Sequence, residues 1–196
     1  MSEKNEIWLP EVIVFAGPNG SGKTTITKMA KTVGEYINAD DIKRTTLCSD
    51  LEAAVKAEEL RETMMEQKKD FTFETVLSTD RNLLLLRKAK EQGYFVRCIY
   101  VLTSNADINV ARVSAREALG GHGVPEEKIR QRYERTLKLI PQLVDTCDVL
   151  HLYDNTEAPF RIFKKRKDVY YRWTNDFWNN EEIEKLTGIT DYTEIQ

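Results

Sequence analysis

An α/β fold, a parallel sheet flanked by helices on both faces and closed by a helical lid, is predicted for this 196-residue chain by three observations. Apolar, β-branched runs of strand length alternate with segments whose apolar residues recur at helical spacing, the pattern of consecutive β–α units. The first such run, Val12-Ile13-Val14-Phe15-Ala16, leads at once into Gly17-Pro18-Asn19-Gly20-Ser21-Gly22-Lys23-Thr24, which matches the phosphate-binding pattern G-x-x-x-x-G-K-[ST] at every fixed position. Two arginine-bearing helical segments meet at Gly120-Gly121-His122-Gly123, where a lid would hinge.

The elements follow in order. After the strand over 12–16 and its P-loop, a helix is expected over Thr25 to Thr32. Tyr36-Ile37-Asn38-Ala39-Asp40-Asp41 reads as a second strand delivering carboxylates to a strand end. Leu51, Ala54, Val55, Leu60, Met64 and Met65 recur near a 3.6 spacing, so 50–69 is expected to be helical with Asp50 as its N-cap. Phe71 to Leu77 is a third strand, Asn82 to Gln92 a helix stopped by Gly93, and Tyr94 to Leu102 a fourth strand. Helices are expected over Asp107 to Leu119 and, opened by Pro125-Glu126-Glu127, on to Val144. Asp148 to Tyr153 is a fifth strand. The sheet should be wound by right-handed crossovers, with ligands at the C-terminal ends of its strands, a P-loop NTPase-type arrangement.

The expected division is a P-loop kinase domain over 1–160 and a helical extension over 161–196 that packs on the domain or a partner. That extension mixes Lys164-Lys165-Arg166-Lys167 with Tyr170, Tyr171, Trp173, Phe177 and Trp178. Basic residues among aromatics can stack on nucleic acid, but an acidic stretch follows directly, and a docked helix is the preferred expectation. Twenty-nine basic against 32 acidic side chains give a formal charge of −3, which supplies no general field for nucleic acid or an anionic membrane. Apolar stretches of about five residues fall far short of a bilayer span, and the start of the chain lacks a signal-peptide core, so a cytoplasmic protein is expected. Cys48, Cys98 and Cys147 are odd in number and widely spaced, suggesting reduced thiols.

The P-loop defines the first part of the chemistry. Backbone N–H groups of Gly17 to Thr25 are expected to wrap the β-phosphate of a nucleoside triphosphate, with Lys23 bridging the β- and γ-phosphates and Thr24 offering its hydroxyl to Mg²⁺. Neither the third nor the fourth apolar strand ends in the Asp or Asp-Glu pair of a motor, which favours a kinase. A kinase acceptor needs a carboxylate to orient its hydroxyl and take its proton, and Asp40 lies where that group should be, with Asp41 as its rival. The pair could instead cap a helix starting at Ile42. Glu74, inside an otherwise apolar strand, would be costly to bury unpaired and is expected to face a pocket, unless the strand is half-exposed. Arg116 and Arg132, on the two helices either side of the glycine joint, are candidates to neutralise the migrating phosphoryl group. His122 could meet phosphate or cap the turn.

Taken together, Ala16 to Thr25, Asn38-Ala39-Asp40-Asp41-Ile42, Phe73-Glu74-Thr75 and Gly120-Gly121-His122-Gly123-Val124-Pro125 followed by Arg132-Tyr133 resemble the zeta-toxin family of P-loop kinases, in its short bacterial zeta-like branch, over roughly residues 10–157. The resemblance implies ATP-dependent phosphorylation of UDP-N-acetylglucosamine at its 3′-hydroxyl, with ATP and Mg²⁺ as cofactors and an antitoxin as possible partner. It assigns Asp40 as catalytic base, Glu74 as a sugar-binding carboxylate beside Thr75 and His122, and Arg116 and Arg132 to the γ-phosphate. Longer members have an Asp-Gly-Asp type segment where this chain has Asn38-Ala39-Asp40, an arginine near the place of His122, and a long C-terminal region absent here. Asp154-Asn155-Thr156 resembles the loop bordering adenine, or is an ordinary polar turn.

Overall fold

The computed structural model describes residues 9–121 and 123–193; His122, expected at the acceptor, lies outside the described residues. One seven-stranded sheet organises the chain, with spatial order β2-β3-β1-β4-β5-β6-β7. Its strands are β1 (Glu11–Ala16), β2 (Glu35–Ile37), β3 (Phe71–Thr75), β4 (Phe95–Leu102), β5 (Val149–Asp154), β6 (Phe160–Arg166) and β7 (Val169–Arg172). The first five run parallel, and β6 and β7 add on antiparallel. Because β1 sits centrally, its side chains are buried on both faces, which is why Val12 to Ala16 read as a continuous apolar run.

The helices are α1 (Lys23–Met29), α2 (Ala39–Thr46), α3 (Asp50–Glu66), α4 (Asp80–Glu91), α5 (Ala106–Ala118), α6 (Glu126–Leu137), α7 (Ile140–Thr146) and α8 (Asn180–Thr187). On one face Val12, Val14, Phe71, Val96, Cys98, Leu150, Leu152 and Phe163 pack with Met64 and Met65 of α3, Leu83 and Leu86 of α4, Ile140 and Leu143 of α7, and Ile183 of α8. On the other face Ile13, Phe15 and Val101 pack with Ile26 of α1. No described helix is long and apolar enough to cross a membrane.

Several local expectations shift. The second strand ends at Ile37, and Asp40 and Asp41 lie in the first turn of α2, whose N-cap is Asn38: its side-chain oxygen accepts from Asp40 N–H at 2.9 Å. Ser49, not Asp50, caps α3, in a reciprocal capping box with Glu52. β3 stops at Thr75, and Leu77 takes a left-handed φ of 53°. The expected helix to Val144 is two helices, because Pro141 has no N–H to continue the ladder from Leu137. Residues 160–172 are strands rather than part of a helical extension. Adjacent Ile162 and Phe163 are both buried at a register irregularity that breaks the simple alternation of β6, and Lys165, buried, donates its ammonium to the Val144 carbonyl from a strand that a lysine run had disguised.

Candidate active site

The P-loop leaves β1 at Gly17 and enters α1 at Lys23. Gly22, the N-cap of α1, has φ 94°, and a Cβ there would collide with the Asn155 amide, so the loop needs glycine at this point. Two asparagines outside the motif brace it. Asn109 on α5 donates to the Asn19 carbonyl at 2.6 Å, and Asn155 after β5 donates to the Ser21 carbonyl at 2.7 Å. Arg112 clamps the same corner, donating to the Asn155 and Thr156 carbonyls at 2.8 Å each. These contacts span 43 to 134 residues of sequence and carry no local signal.

Lys23 is half-buried and donates to the Gly17 and Pro18 carbonyls at 2.8 and 3.0 Å. Burial pulls its ammonium down to about 8, opposed by Glu74 and Asp40 and reinforced by Arg116 and Arg132. The four charged groups anticipated in the sequence thus converge electrostatically on one lysine. Arg132 also donates to the Asn19 side-chain oxygen at 3.0 Å, tying α6 to the loop. Asp40 and its rival are separated by their pairing. The Asp41 carboxylate accepts from Arg44 at 2.7 Å, one helical turn on, whereas Asp40 lies exposed at the start of α2, where its charge favours the protonated form of Lys23.

Register places Glu74 opposite Phe15, two residues before the P-loop begins. Its Oε1 accepts from the Thr27 hydroxyl at 2.7 Å and the Tyr36 hydroxyl at 2.6 Å, and its Oε2 from the Thr24 hydroxyl at 3.4 Å. Burial and then the bond to Glu74 hold the Tyr36 hydroxyl protonated well above the ordinary phenol range. Asn38 donates to the Tyr36 oxygen at 3.3 Å while capping Asp40. A continuous chain of hydrogen bonds therefore joins the backbone of Asp40 to Thr24 through Asn38, Tyr36 and Glu74. Tyr36 and Thr27 were not anticipated as site residues. The one signal for Thr27 is its place three residues after Thr24 on the same helix face. Thr75, expected beside the acceptor, uses its hydroxyl oxygen to accept from Leu77 N–H at 3.0 Å and from Asn82 at 2.7 Å, closing the turn after β3.

The sequence model of the zeta toxin family matches residues 35–168. The chain belongs to the zeta toxin family. The P-loop lies just ahead of the matched span, so the nucleotide-binding signature and the family match are independent observations. An uncharacterized protein of Haemophilus influenzae is 30% identical over 138 residues, 66% of this zeta toxin family chain and 99% of that protein. The fold is shared with a chain of the PezAT chromosomal toxin–antitoxin system of Streptococcus pneumoniae, with TM-score 0.59 at 16% identity over 78% of this chain and 72% of that one. It is shared also with the AvrRxo1-ORF1:-ORF2 complex with ATP, with TM-score 0.69 at 15% identity over 93% of this chain and 64% of that one.

Proposed function

We propose that the protein is an ATP-dependent phosphotransferase that passes the γ-phosphoryl group to a hydroxyl of a sugar nucleotide, UDP-N-acetylglucosamine at its 3′-hydroxyl. The observation that carries this reading is the hydrogen-bonded chain that ties Asp40 through Asn38, Tyr36 and Glu74 to Thr24 of the P-loop, with Arg132 bonded to Asn19 beside it. A triphosphate and Mg²⁺ fit the residues present. Ser21 Oγ is buried with no hydrogen-bond partner, no side chain caps α1, and Thr24 presents an exposed hydroxyl next to a carboxylate. When bound, Mg²⁺ would neutralise the β- and γ-phosphate oxygens and be held by few protein oxygens, a share that Thr24, supported by Glu74, can supply.

Within that frame each residue has a task. Lys23 exchanges the Gly17 and Pro18 carbonyls for phosphate oxygens. Arg116 and Arg132 offset the charge on the migrating group, and their place on α5 and α6 lets lid closure bring both in while water is excluded. Asp40 accepts the acceptor hydroxyl's proton and directs its oxygen toward phosphorus. Glu74 and, if it reaches the site, His122 would contact the sugar nucleotide. The PezAT toxin–antitoxin system, a chain of which shares this fold, supports an antitoxin as protein partner of this chain; in this reading it acts in the cytoplasm, where ATP and sugar nucleotides reside.

The test is to incubate wild type and Asp40→Asn with γ-labelled ATP, Mg²⁺ and UDP-N-acetylglucosamine and to resolve labelled products by mass. Wild type is expected to form a phosphorylated UDP-sugar, and Asp40→Asn to bind ATP but transfer at least about a hundredfold more slowly. Label in a different metabolite would keep the phosphotransferase and reject the acceptor; ATP binding with no transfer to any metabolite would reject the activity.

A further inference from the structure

The half of the sheet beyond β4 is covered on one face only. Along β4 and β5, Val96, Cys98, Tyr100, Leu150 and Leu152 are buried among α4, α7 and α8, while Arg97, Ile99, His151 and Tyr153 alternate with them and are only half-buried. The C-terminal helix that could have covered this second face packs instead against α7. A register shift between Leu152 and Tyr153 inserts an extra residue in β6, so Arg161 stands opposite Tyr153 and shares the outward face with Lys164, opposite His151.

The result is a strip of cations between aromatic walls. His151 and Tyr153 on β5 line one side, with ring centroids 6.2 Å apart; Tyr171 and Trp173 line the other, 6.3 Å apart. Arg161 lies 4.7 Å from the Trp173 ring centroid and Lys164 5.3 Å from that of Tyr171. Arg97 is matched by Glu11, and Arg172, on the opposite face, by Glu184. Arg161, Lys164 and the exposed Arg166 have no ion-pair partner among the described residues, and Arg161 Nε is buried without any hydrogen-bond partner. In a chain with a formal charge of −3 this is a local excess of positive charge. It is felt by His151, whose imidazole burial, Arg161, Lys164 and Arg97 together push down to about 4.

We propose that the outward face of β5–β7 is a docking surface for a protein partner that presents an Asp/Glu-rich segment. Arg161 Nη1 reaches His151 Nδ1 at 3.5 Å, and carboxylates would give the rest of its guanidinium the fork-shaped anionic acceptor it lacks and would meet Lys164 and Arg166 along the strip. Arg161 and Lys164 already lie over one face each of Trp173 and Tyr171, which leaves fewer ring faces on which bases could stack and favours an acidic polypeptide over nucleic acid. Arginine flanked by tryptophan and tyrosine is also the composition that anchors protein interfaces.

The probe is a fluorescein-labelled twelve-residue Glu/Asp-rich peptide, titrated with the full chain by anisotropy at low salt beside an equally long oligo-dT. Wild type is expected to bind the peptide at least about tenfold more tightly than Arg161→Glu/Lys164→Glu, and more tightly than Arg166→Glu, whose exposed side chain can change without disturbing the fold. The pair Lys56→Glu/Arg87→Glu, which changes net charge equally elsewhere, should bind as wild type does. Equal binding by all variants, or none by wild type, would overturn the proposal. So would tighter binding of oligo-dT, which assigns the strip to nucleic acid, or a wild-type dimer broken by Arg166→Glu, which assigns it to a second copy of the chain.

Discussion

At the scale of single residues, the site's behaviour turns on how few groups hold the charges in place. Burial lowers the Lys23 ammonium to about 8, so the free protein loses that proton as pH rises through this value. Triphosphate binding requires the charged form, so ATP affinity should be flat below pH 7 and about tenfold weaker by pH 9. Titrating ATP between pH 7 and 9.5 checks this, with Lys23→Arg expected to flatten the curve; a flat wild-type profile would sink it. Tyr36 tests the chain of hydrogen bonds. Tyr36→Phe takes a donor from Glu74 and an acceptor from Asn38, which should cost about 1–2 kcal/mol of stability. It should also lower kcat while leaving KM for ATP within about twofold, because α2 carrying Asp40 loses its tie to Thr24 and the P-loop does not. If kcat is unchanged in the folded variant, the chain positions nothing. The P-loop, Asp40, Glu74, Arg116 and Arg132 stand out in the sequence by type and spacing as candidates, and the fold places Glu74 and Arg132 within hydrogen-bond reach of P-loop and α1 atoms. The choice of Asp40 over Asp41 was not readable there, since it depends on the phase of α2 and on Arg44 lying one turn away from Asp41.

At the scale of elements, the lid is the part whose geometry most directly sets the chemistry. The α5 helix ends with Gly120 at φ 81°, and the Gly121 N–H returns to the Arg116 carbonyl at 2.9 Å, a turn that fixes the last residues of the helix. A Cβ on Gly121 would approach Arg116 Cγ to 2.7 Å. It would also come within 2.9 Å of the Arg116 carbonyl oxygen, so Gly121→Ala should displace the arginine side chain and shift this turn locally while leaving the sheet and its core packing untouched. The expected outcome is a phosphoryl-transfer rate about tenfold or more below wild type with a melting temperature within a few degrees; equal activity would mean that the Arg116 head group is not held from this turn. Such terminal geometry is partly legible, because glycine, proline and capping residues act locally: Gly93 and the joint at 120–123 were placed correctly from sequence. What was missed was also local, a cap and a proline whose signals were outweighed by the stronger patterns around them. Asn38 displaced the carboxylates as the cap of α2 because its amide also reaches Tyr36, and Pro141 broke a helical period that continued through it.

At the scale of the whole molecule, five parallel strands followed from alternating β and α segments, whereas their spatial order and the added β6 and β7 did not, because an edge strand rich in lysine resembles a solvated helix until its pairing is known. The consequence is mechanical. Residues 160–172 complete the sheet, and Ile162, Phe163, Trp178 and Ile183, all nearly fully buried, cover Leu150 and Leu152. The same segment reaches the nucleotide end: Asn175 donates to Asp154 at 3.1 Å, Asp154 accepts from the Thr156 hydroxyl at 2.6 Å, and adjacent Asn155 holds the Ser21 carbonyl. A chain ending at residue 158 would expose β5 as an unprotected edge and remove four large buried side chains, each contributing about 1.5–3 kcal/mol. Since that sum matches or exceeds the net stability of an ordinary domain, the truncated chain should fail to fold cooperatively. The check is thermal unfolding followed by circular dichroism and ATP binding on the same samples. A truncated chain that unfolds in a sharp transition and binds ATP as the full chain does would show that strands β1 to β5 with their helices are self-sufficient, and that the antiparallel pair with α8 is an appendage to the fold rather than part of what shapes the P-loop.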